Sequence, residues 1–358
     1  MLTAEAIIDI AALQHNFKLL HGKCPRAKVA VVIKANAYGH GAVQFAKALP
    51  EADAFAVSRI PEAIELRNAG IKQPILLLEG CFCVEELKSA SALGFHTMIH
   101  NEQQLKEFES IKADKPIQVW LKIDTGMHRL GISPELVAAY YERIKASPNS
   151  YDEIGFASHF YNADELDSDA TTQQIKCFEE ATKGYSGPRS LSNSAGVLYW
   201  PDAHYDWLRP GIALYGIVPR VESTGAEERL RSVMTLKSKL IAVREHKKGE
   251  AVGYGHNWVA SQDTCIGVVA MGYGDGYPRT APNGTPVLVN GRKATIVGNI
   301  SMDMITLDLG PNTQDKVGDE VIFWGENLPV EEVARHIGTL AYELVIKLTG
   351  RVKKTYTN

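Results

Sequence analysis

The sequence predicts an α/β protein, an N-terminal (β/α)8 barrel followed by a C-terminal mainly-β domain. Three observations carry that expectation. Eight short apolar runs recur through the first two thirds of the chain, most rich in Val, Ile and Leu with little alternation, the pattern of strands buried on both faces. Amphipathic stretches of helical period separate them. The style then changes near Arg231 to short strand-like runs divided by turn signals.

The predicted barrel strands are Val29–Lys34, Ala54–Val57, Ile75–Leu78, His96–Ile99, Ile117–Ile123, Ile154–His159, Arg189–Asn193 and Leu208–Tyr215. Helices are expected over Ala42–Leu49, Pro61–Ala69, Val84–Leu93, Glu102–Ile111, Pro134–Ala146 and Ala170–Thr182. Ser133-Pro134, and Asn101 with Gln104 three residues on, are helix-start signals. The link between strands seven and eight carries the weakest helical pattern. Eight βα units is the count for a closed barrel, with an open doubly wound sheet as the structural alternative.

In the last third, Val233–Val243, Cys265–Ala270, Pro286–Val289, Lys293–Val297, Met304–Leu309 and Glu320–Phe323 read as strands. Asn283-Gly284 and Asn290-Gly291 are strong hairpin cues. One helix is expected over Pro329–Ile337. The division is therefore 1–230 for the barrel and 231–358 for the β domain, with no internal repeat and no low-complexity tract.

Composition narrows the function. With 38 Lys and Arg against 42 Asp and Glu, the net charge is −4, which gives no footprint for nucleic acid or an anionic membrane. Five scattered cysteines make no disulfide framework and fit a reducing compartment. Glu5 and Asp9 interrupt the start before any basic residue, unlike a signal peptide, and no apolar run approaches the ~20 residues that span a bilayer. A cytoplasmic protein is the expectation.

Catalytic groups of such barrels stand at the C-terminal ends of strands. Lys34 ends strand one, Lys122 lies in strand five ahead of Asp124–Arg129, His159 ends strand six, Asn193-Ser194 end strand seven, and Arg209–Ile212 lie in strand eight. Cations and hydroxyls on one rim imply an anionic ligand, a phosphate together with a carboxylate. Lys34 is the most informative: desolvation at a strand end lowers an amine's pKa, and a neutral amine forms a Schiff base with a carbonyl. The competing reading is a lysine that snorkels to solvent. Tyr38, Gly39 and Gly41, which follow at once, favour the first. Ser194 with Gly211-Ile212 could offer a hydroxyl and backbone N–H groups to a phosphate, or be ordinary turn chemistry. His159 reads better as a packed, hydrogen-bonded group than as a base. Gly272–Tyr277 follows a strand but opens no helix, and Pro278 comes next, which makes a nucleotide-loop reading weak, and Cys81 and Cys83 lack the partner pair of a zinc site.

These residues sit in segments that resemble bacterial alanine racemase over essentially the whole chain. The segments are Ala30-Val-Val-Ile-Lys-Ala-Asn-Ala-Tyr-Gly-His-Gly41, Leu121-Lys-Ile-Asp-Thr-Gly-Met-His-Arg-Leu-Gly131, Leu208-Arg-Pro-Gly-Ile-Ala-Leu-Tyr-Gly216, Val252-Gly-Tyr-Gly255, Gly272-Tyr-Gly-Asp-Gly-Tyr-Pro-Arg279 and Ser301-Met-Asp-Met304. The resemblance implies a barrel that binds pyridoxal 5′-phosphate (PLP) and a homodimer with shared active sites. It implies Lys34 as the residue joined to PLP, and as one of two acid/base groups. Tyr254, from the partner subunit, would be the other. Tyr38, Ser194, Gly211, Ile212 and Tyr342 would hold the phosphate, Asn193 would lie against the cofactor, and Arg209 would face the pyridine nitrogen. Arg129 and Met302 would bind the substrate carboxylate, Arg129 also approaching the cofactor's phenolic oxygen. Lys122 matches a position carbamylated in many members, where the carbamate orients Arg129. His159 would support Arg209 and Tyr254. Asp164, Tyr273 and Arg279 would line the substrate's access route, where Asn299 stands in place of an arginine common in the family.

The implied reaction is the interconversion of L- and D-alanine, for peptidoglycan or for alanine catabolism. Two bases on opposite faces of Cα suit a racemase. An arginine at the pyridine nitrogen stays protonated and gives up no proton to the ring, which opposes a decarboxylase of the same fold. The β domain and Tyr254 oppose a non-catalytic PLP carrier. A broader-specificity racemase is the remaining alternative.

Overall fold

The computed structural model describes residues 3–220 and 222–358. Its strands, in chain order, are β1 (Glu5–Asp9), β2 (Lys28–Val32), β3 (Ala54–Val57), β4 (Ile75–Leu77), β5 (Phe95–Ile99), β6 (Val119–Lys122), β7 (Gly155–Ala157), β8 (Arg189–Ser190), β9 (Trp207–Leu208), β10 (Met234–His246), β11 (Thr264–Val269), β12 (Pro286–Val289), β13 (Arg292–Ile296), β14 (Ile305–Gly310), β15 (Glu320–Trp324) and β16 (Lys353–Thr357). They form two compact units. One is Phe17–Leu214; the other joins the N-terminal segment up to Asn16 with Tyr215–Asn358.

The first unit is the (β/α)8 barrel. β2 to β8 pair in sequence as parallel neighbours and β9 pairs with β2. The seam between β8 and β9 is closed by Asp206 N donating to Arg189 O at 3.1 Å and Arg209 N to Ser192 O at 3.0 Å. That closure excludes the open doubly wound sheet, whose edge strands would stay unpaired. Inward side chains include Ala30, Ala54, Leu76, Met98, Trp120 and Arg209, and they leave only about 10 Å³ between them. The interior is a packed core. Gly155 of β7 is required by it, since a Cβ there would stand 2.4 Å from the Trp120 ring. Helices Ala42–Ala48, Ile60–Asn68, Val84–Leu93, Glu102–Ser110, Val137–Ala146 and Ala170–Ala181 cover the outside. They bury Phe45, Leu66, Leu87, Phe108, Ile144 and Phe178, each such side chain adding roughly 1.5–3 kcal/mol. The short helix Ser194–Tyr199 fills the link after β8.

Six of the eight predicted barrel strands overrun the observed ones; β7 stops at Ala157 and β8 at Ser190, so His159, Asn193 and Ser194 lie beyond the strands they were expected to end. β2 stops at Val32, so Lys34 lies beyond the strand. The eighth barrel strand stops at Leu208, because Pro210 has no N–H to donate and Ile212–Tyr215 winds into a 3-10 turn.

In the second unit the strand order is β11-β14-β13-β12-β15-β10-β1-β16, and β10 also pairs with β11. β1 pairs antiparallel with β10 and parallel with β16. The N-terminal residues therefore complete the β sheet, and neither β1 nor β16 is among the expected strands. β1 does alternate, with Ala6 and Ile8 fully buried between half-exposed neighbours, but five residues leading straight into helix Ile10–Gly22 give a weak signal. Helix Val330–Ile337 matches the expected one; a further helix, Ala341–Ile346, was not expected.

Candidate functional site

The chain leaves β2 through an unusual turn. Ala35, Asn36, Ala37 and Tyr38 all have positive φ, between 49° and 53°, before Gly39 at 83°. Each such non-glycine residue costs roughly 1–2 kcal/mol, so the segment is held by others. Glu62 does much of this. Its carboxylate accepts from Ala35 N at 2.6 Å, Ser58 N at 3.0 Å and Arg59 N at 2.9 Å. Asn36 Oδ1 accepts from Ala42 N at 2.8 Å, and Ala37 N donates to Ile33 O at 2.9 Å. Strain this concentrated points to a site, and Lys34 opens it. Glu62 was not singled out in the sequence. Its signal is the third position of the helix begun after Arg59, where a carboxylate reaches back to free N–H groups.

Burial lowers the Lys34 amine below its ordinary value, and Arg129 lowers it further, against Glu79 and Glu62. The turn also places Tyr38, buried, against Gly211. A Cβ on Gly211 would stand 2.8 Å from the Tyr38 hydroxyl. Ser194 Oγ accepts from Gly211 N at 2.9 Å and Ala213 N at 3.2 Å. Asn193 caps helix Ser194–Tyr199, its Oδ1 accepting from Gly196 N at 3.0 Å. Lys34, Tyr38, Ser194, Gly211 and Ile212 thus line one rim, with a hydroxyl cluster around a close backbone approach.

Below them the barrel holds a cluster of cations. Arg209 is buried, and its guanidinium donates to the Ser190 hydroxyl and the Ser158 carbonyl. Burial lowers it to about 10, so it stays charged at neutral pH. Lys122, at the end of β6, is lowered to about 8 by burial, then by Arg209 and Arg129, against Glu79. His159 is held well below its usual range by burial and then by Arg209, Lys122, Arg129 and Lys34. The burial and the surrounding cations that hold it down weaken its hold on a proton. The Thr125 and Ser158 hydroxyls bond at 2.8 Å, and Gln174 Nε2 donates to Thr125 Oγ1 and His159 O. Arg129 itself is exposed, on the turn where Asp124 Oδ1 accepts from Gly126 N and His128 N.

Lys122 has a consequence for stability. Its unfolded value of 10.5 exceeds its folded value of about 8, so across that window the unfolded chain binds the proton more tightly. Apoprotein stability should therefore rise as pH climbs from 8 to 10.5, and the penalty is fully present below 8. At about 1.4 kcal/mol per pH unit the penalty is about 3 kcal/mol. Lys122→Met should raise apoprotein stability near pH 7 by up to that amount and flatten the alkaline rise. Urea unfolding near pH 7 and near pH 10 reads both; equal stabilities of variant and parent at the lower pH would refute it.

The remaining expected residues fall elsewhere. Asp164 is half-exposed in the loop after β7. Tyr254, Met302, Tyr342, Tyr273 and Arg279 belong to the β unit. Tyr273 and Met302 lie on touching loops, with Tyr273 N donating to Ser301 O at 3.1 Å and Gly274 N to Met302 O at 2.8 Å. Tyr254 is 73% exposed. Tyr342 is half-buried on helix Ala341–Ile346, and Arg279 is exposed.

Among the described residues, no group of three His, Cys, Asp or Glu could hold a metal ion, and no helix is long and apolar enough to cross a membrane. The donor set fits a phosphorylated carbonyl compound instead: a depressed amine, a hydroxyl cradle at Gly211 that a Cβ would fill, and a buried guanidinium.

Known proteins resemble the chain over its whole length. The family model for the N-terminal domain of alanine racemase matches residues 8–219, and that for its C-terminal domain matches 233–356. The biosynthetic alanine racemase of Escherichia coli (strain K12) is 52% identical over 359 residues, with 100% of both chains covered. An alanine racemase of Vibrio vulnificus is 52% identical over 357 residues, again covering 100% of each. The crystal structure of the biosynthetic alanine racemase from Pseudomonas aeruginosa superposes with a TM-score of 0.97 at 45% identity over 100% of both chains.

Proposed function

The chain belongs to the alanine racemase family, and from that premise we propose that it interconverts L- and D-alanine with PLP by a two-base mechanism. The observation that carries the cofactor assignment is Lys34, a lowered amine at the start of a strained turn above a buried guanidinium. PLP, when bound, acidifies the substrate's Cα–H by spreading the resulting charge. The protein's residues do the rest.

Lys34 would hold the cofactor and would move a proton on one face of Cα. Tyr254 serves the other face. Its exposure suits a side chain offered to a second subunit, and supports the reading of a homodimer with shared sites. Tyr38, Ser194, Gly211, Ile212 and Tyr342 hold the phosphate. Burial raises the Tyr38 hydroxyl's pKa, so it acts as a neutral donor. Arg129 and the Met302 amide take the substrate carboxylate, with Asp164, Tyr273 and Arg279 along its access route. His159 orients Arg209 and Tyr254 as a neutral group. Asn193, beside Ser194, shapes the same rim.

Lys122 is suited to carbamylation. Near pH 8 about half of it is neutral amine, the form whose nitrogen attacks CO2. The new N–C bond gives a carbamate, releases a proton, and places an anion beside Arg129 and Arg209.

The supply of D-alanine for peptidoglycan is the favoured role, supported by the biosynthetic naming of the relatives from Escherichia coli and Pseudomonas aeruginosa. Five free cysteines support work in a reducing compartment, the cytoplasm.

The test is incubation with L-alanine and PLP in D2O. Loss of optical rotation with deuterium at Cα is expected. Tyr254→Phe should cut racemisation by about 10²–10⁴-fold, the usual worth of one acid/base group. Unaltered turnover in both directions would refute the two-base assignment.

A further inference from the structure

The residues around Tyr254 form a closed loop. Val252 N donates to Trp258 O at 3.1 Å and Ala251 bridges Val259, which pinches off residues 253–257. Gly253, Gly255 and His256 all have positive φ, and Tyr254 to Asn257 are exposed. A loop so rich in glycine and so poor in packing does not hold a side chain still.

What steadies it is a chain of asparagine amides. Asn299 Nδ2 donates to the Tyr254 carbonyl at 2.7 Å. Asn299 Oδ1 accepts from Asn257 Nδ2 at 2.8 Å. Asn283 Nδ2 donates to Asn257 O at 3.2 Å, and Asn283 Oδ1 accepts from Gly298 N at 2.7 Å. Asn299 therefore grips the loop at two points, once as donor and once as acceptor. Gly255 lies against Asn299 Nδ2, and its φ of 75° is what favours glycine there. Aspartate would keep the acceptor and lose the donor; arginine would keep a donor and lose the acceptor.

We propose that Asn299 is the positioning residue for Tyr254, fixing through the Tyr254 carbonyl where the phenol stands when it moves a proton. The proposal rests on the reading of Tyr254 as one of the two bases. Asn299 acts through the loop and touches no reacting atom. A displacement of about 1 Å in such a group costs on the order of 10²-fold in rate. Asn299→Ala and Asn299→Asp should therefore lower kcat by roughly 10- to 100-fold and leave KM within about threefold. Slowing the Tyr254 step alone changes the two directions differently. With Cα-deuterated alanine, the substrate isotope effect should rise in the direction where Tyr254 removes the proton and fall in the other. Asn299→Gln, which keeps both amide functions, should restore part of the rate.

A second readout needs no cofactor. In the apoprotein, amide exchange of a peptide spanning 253–257 should quicken by about tenfold in Asn299→Ala and Asn299→Asp, with the barrel peptides unchanged. Parent-like exchange and parent-like isotope effects in Asn299→Asp would overturn the proposal while Tyr254→Phe still showed the directional asymmetry. If Tyr254→Phe showed none, the Tyr254 reading itself would fall and the proposal with it.

Discussion

Lys34→Ala is expected to abolish turnover, by about 10⁴-fold or more, while leaving the protein folded. Two losses combine. On the proposed roles, the amine that would join the cofactor is gone, and so is one of the two proposed proton carriers, itself worth about 10²–10⁴-fold. Folding should survive because the strained turn does not depend on the lysine side chain. It is held by Glu62 on the Ala35 N–H, by Asn36 on the Ala42 N–H and by the Ala37-to-Ile33 bond. Removing a half-buried amine that burial and Arg129 already disfavour in its charged form relieves the cluster. The variant should bind PLP without the protein-linked absorbance that sodium borohydride bleaches. Added methylamine should recover a measurable fraction of racemisation, because it returns an amine to an intact site. An unfolded variant, or full activity without added amine, would contradict the assignment.

How far the sequence carried this reading differs between the two units. The barrel strands are short, buried on both faces and spaced by helices, so their apolar runs located them to within a few residues. The lowered amine of Lys34 was legible by chemistry, though its backbone was not: no propensity foretells four consecutive left-handed residues at Ala-Asn-Ala-Tyr, because much of the compensation comes from Glu62, 27 residues away. β1 and β16 were missed for a related reason. Each is short; β16 becomes a strand only by pairing with β1 across some 350 residues of chain, and β1 only by pairing with β16 and the distant β10. Leu208–Tyr215 read as one strand because its apolar content outweighed Pro210, which ends the ladder. The fold was therefore readable where burial alone sets the pattern, and unreadable where a distant partner does. The same holds for function. Arg209 could be placed at the C-terminal end of a barrel strand, although β9 stops one residue before it, whereas the hydrogen bonds from Asn299 to the Tyr254 loop have no local sequence signal.

Arg209→Glu should change what the enzyme does as well as how fast. In the parent, Arg209 is a buried cation bonded to neutral groups, the Ser190 hydroxyl and the Ser158 carbonyl, in a field already set by Lys122, Lys34 and Arg129. Its like charge depresses both Lys122 and His159. A carboxylate in its place inverts that term. Lys122 should titrate well above about 8, remain an ammonium at neutral pH and resist carbamylation, and His159 should become easier to protonate. The Ser158 carbonyl loses its donor, at about 1–3 kcal/mol, partly offset by the new attraction to Lys122. On the proposed placement of Arg209 at the pyridine nitrogen, the guanidinium gives up no proton, whereas a glutamic acid can share one. A proton delivered away from Cα would, after hydrolysis, leave the substrate's amino group on the cofactor and release its carbon skeleton as pyruvate. Racemisation should fall by on the order of 10²–10³-fold, and pyruvate should accumulate as the enzyme inactivates. The ratio of pyruvate to inverted alanine is the measurement. A variant that is slower with an unchanged ratio would leave Arg209 as a structural cation and remove it from the control of reaction type.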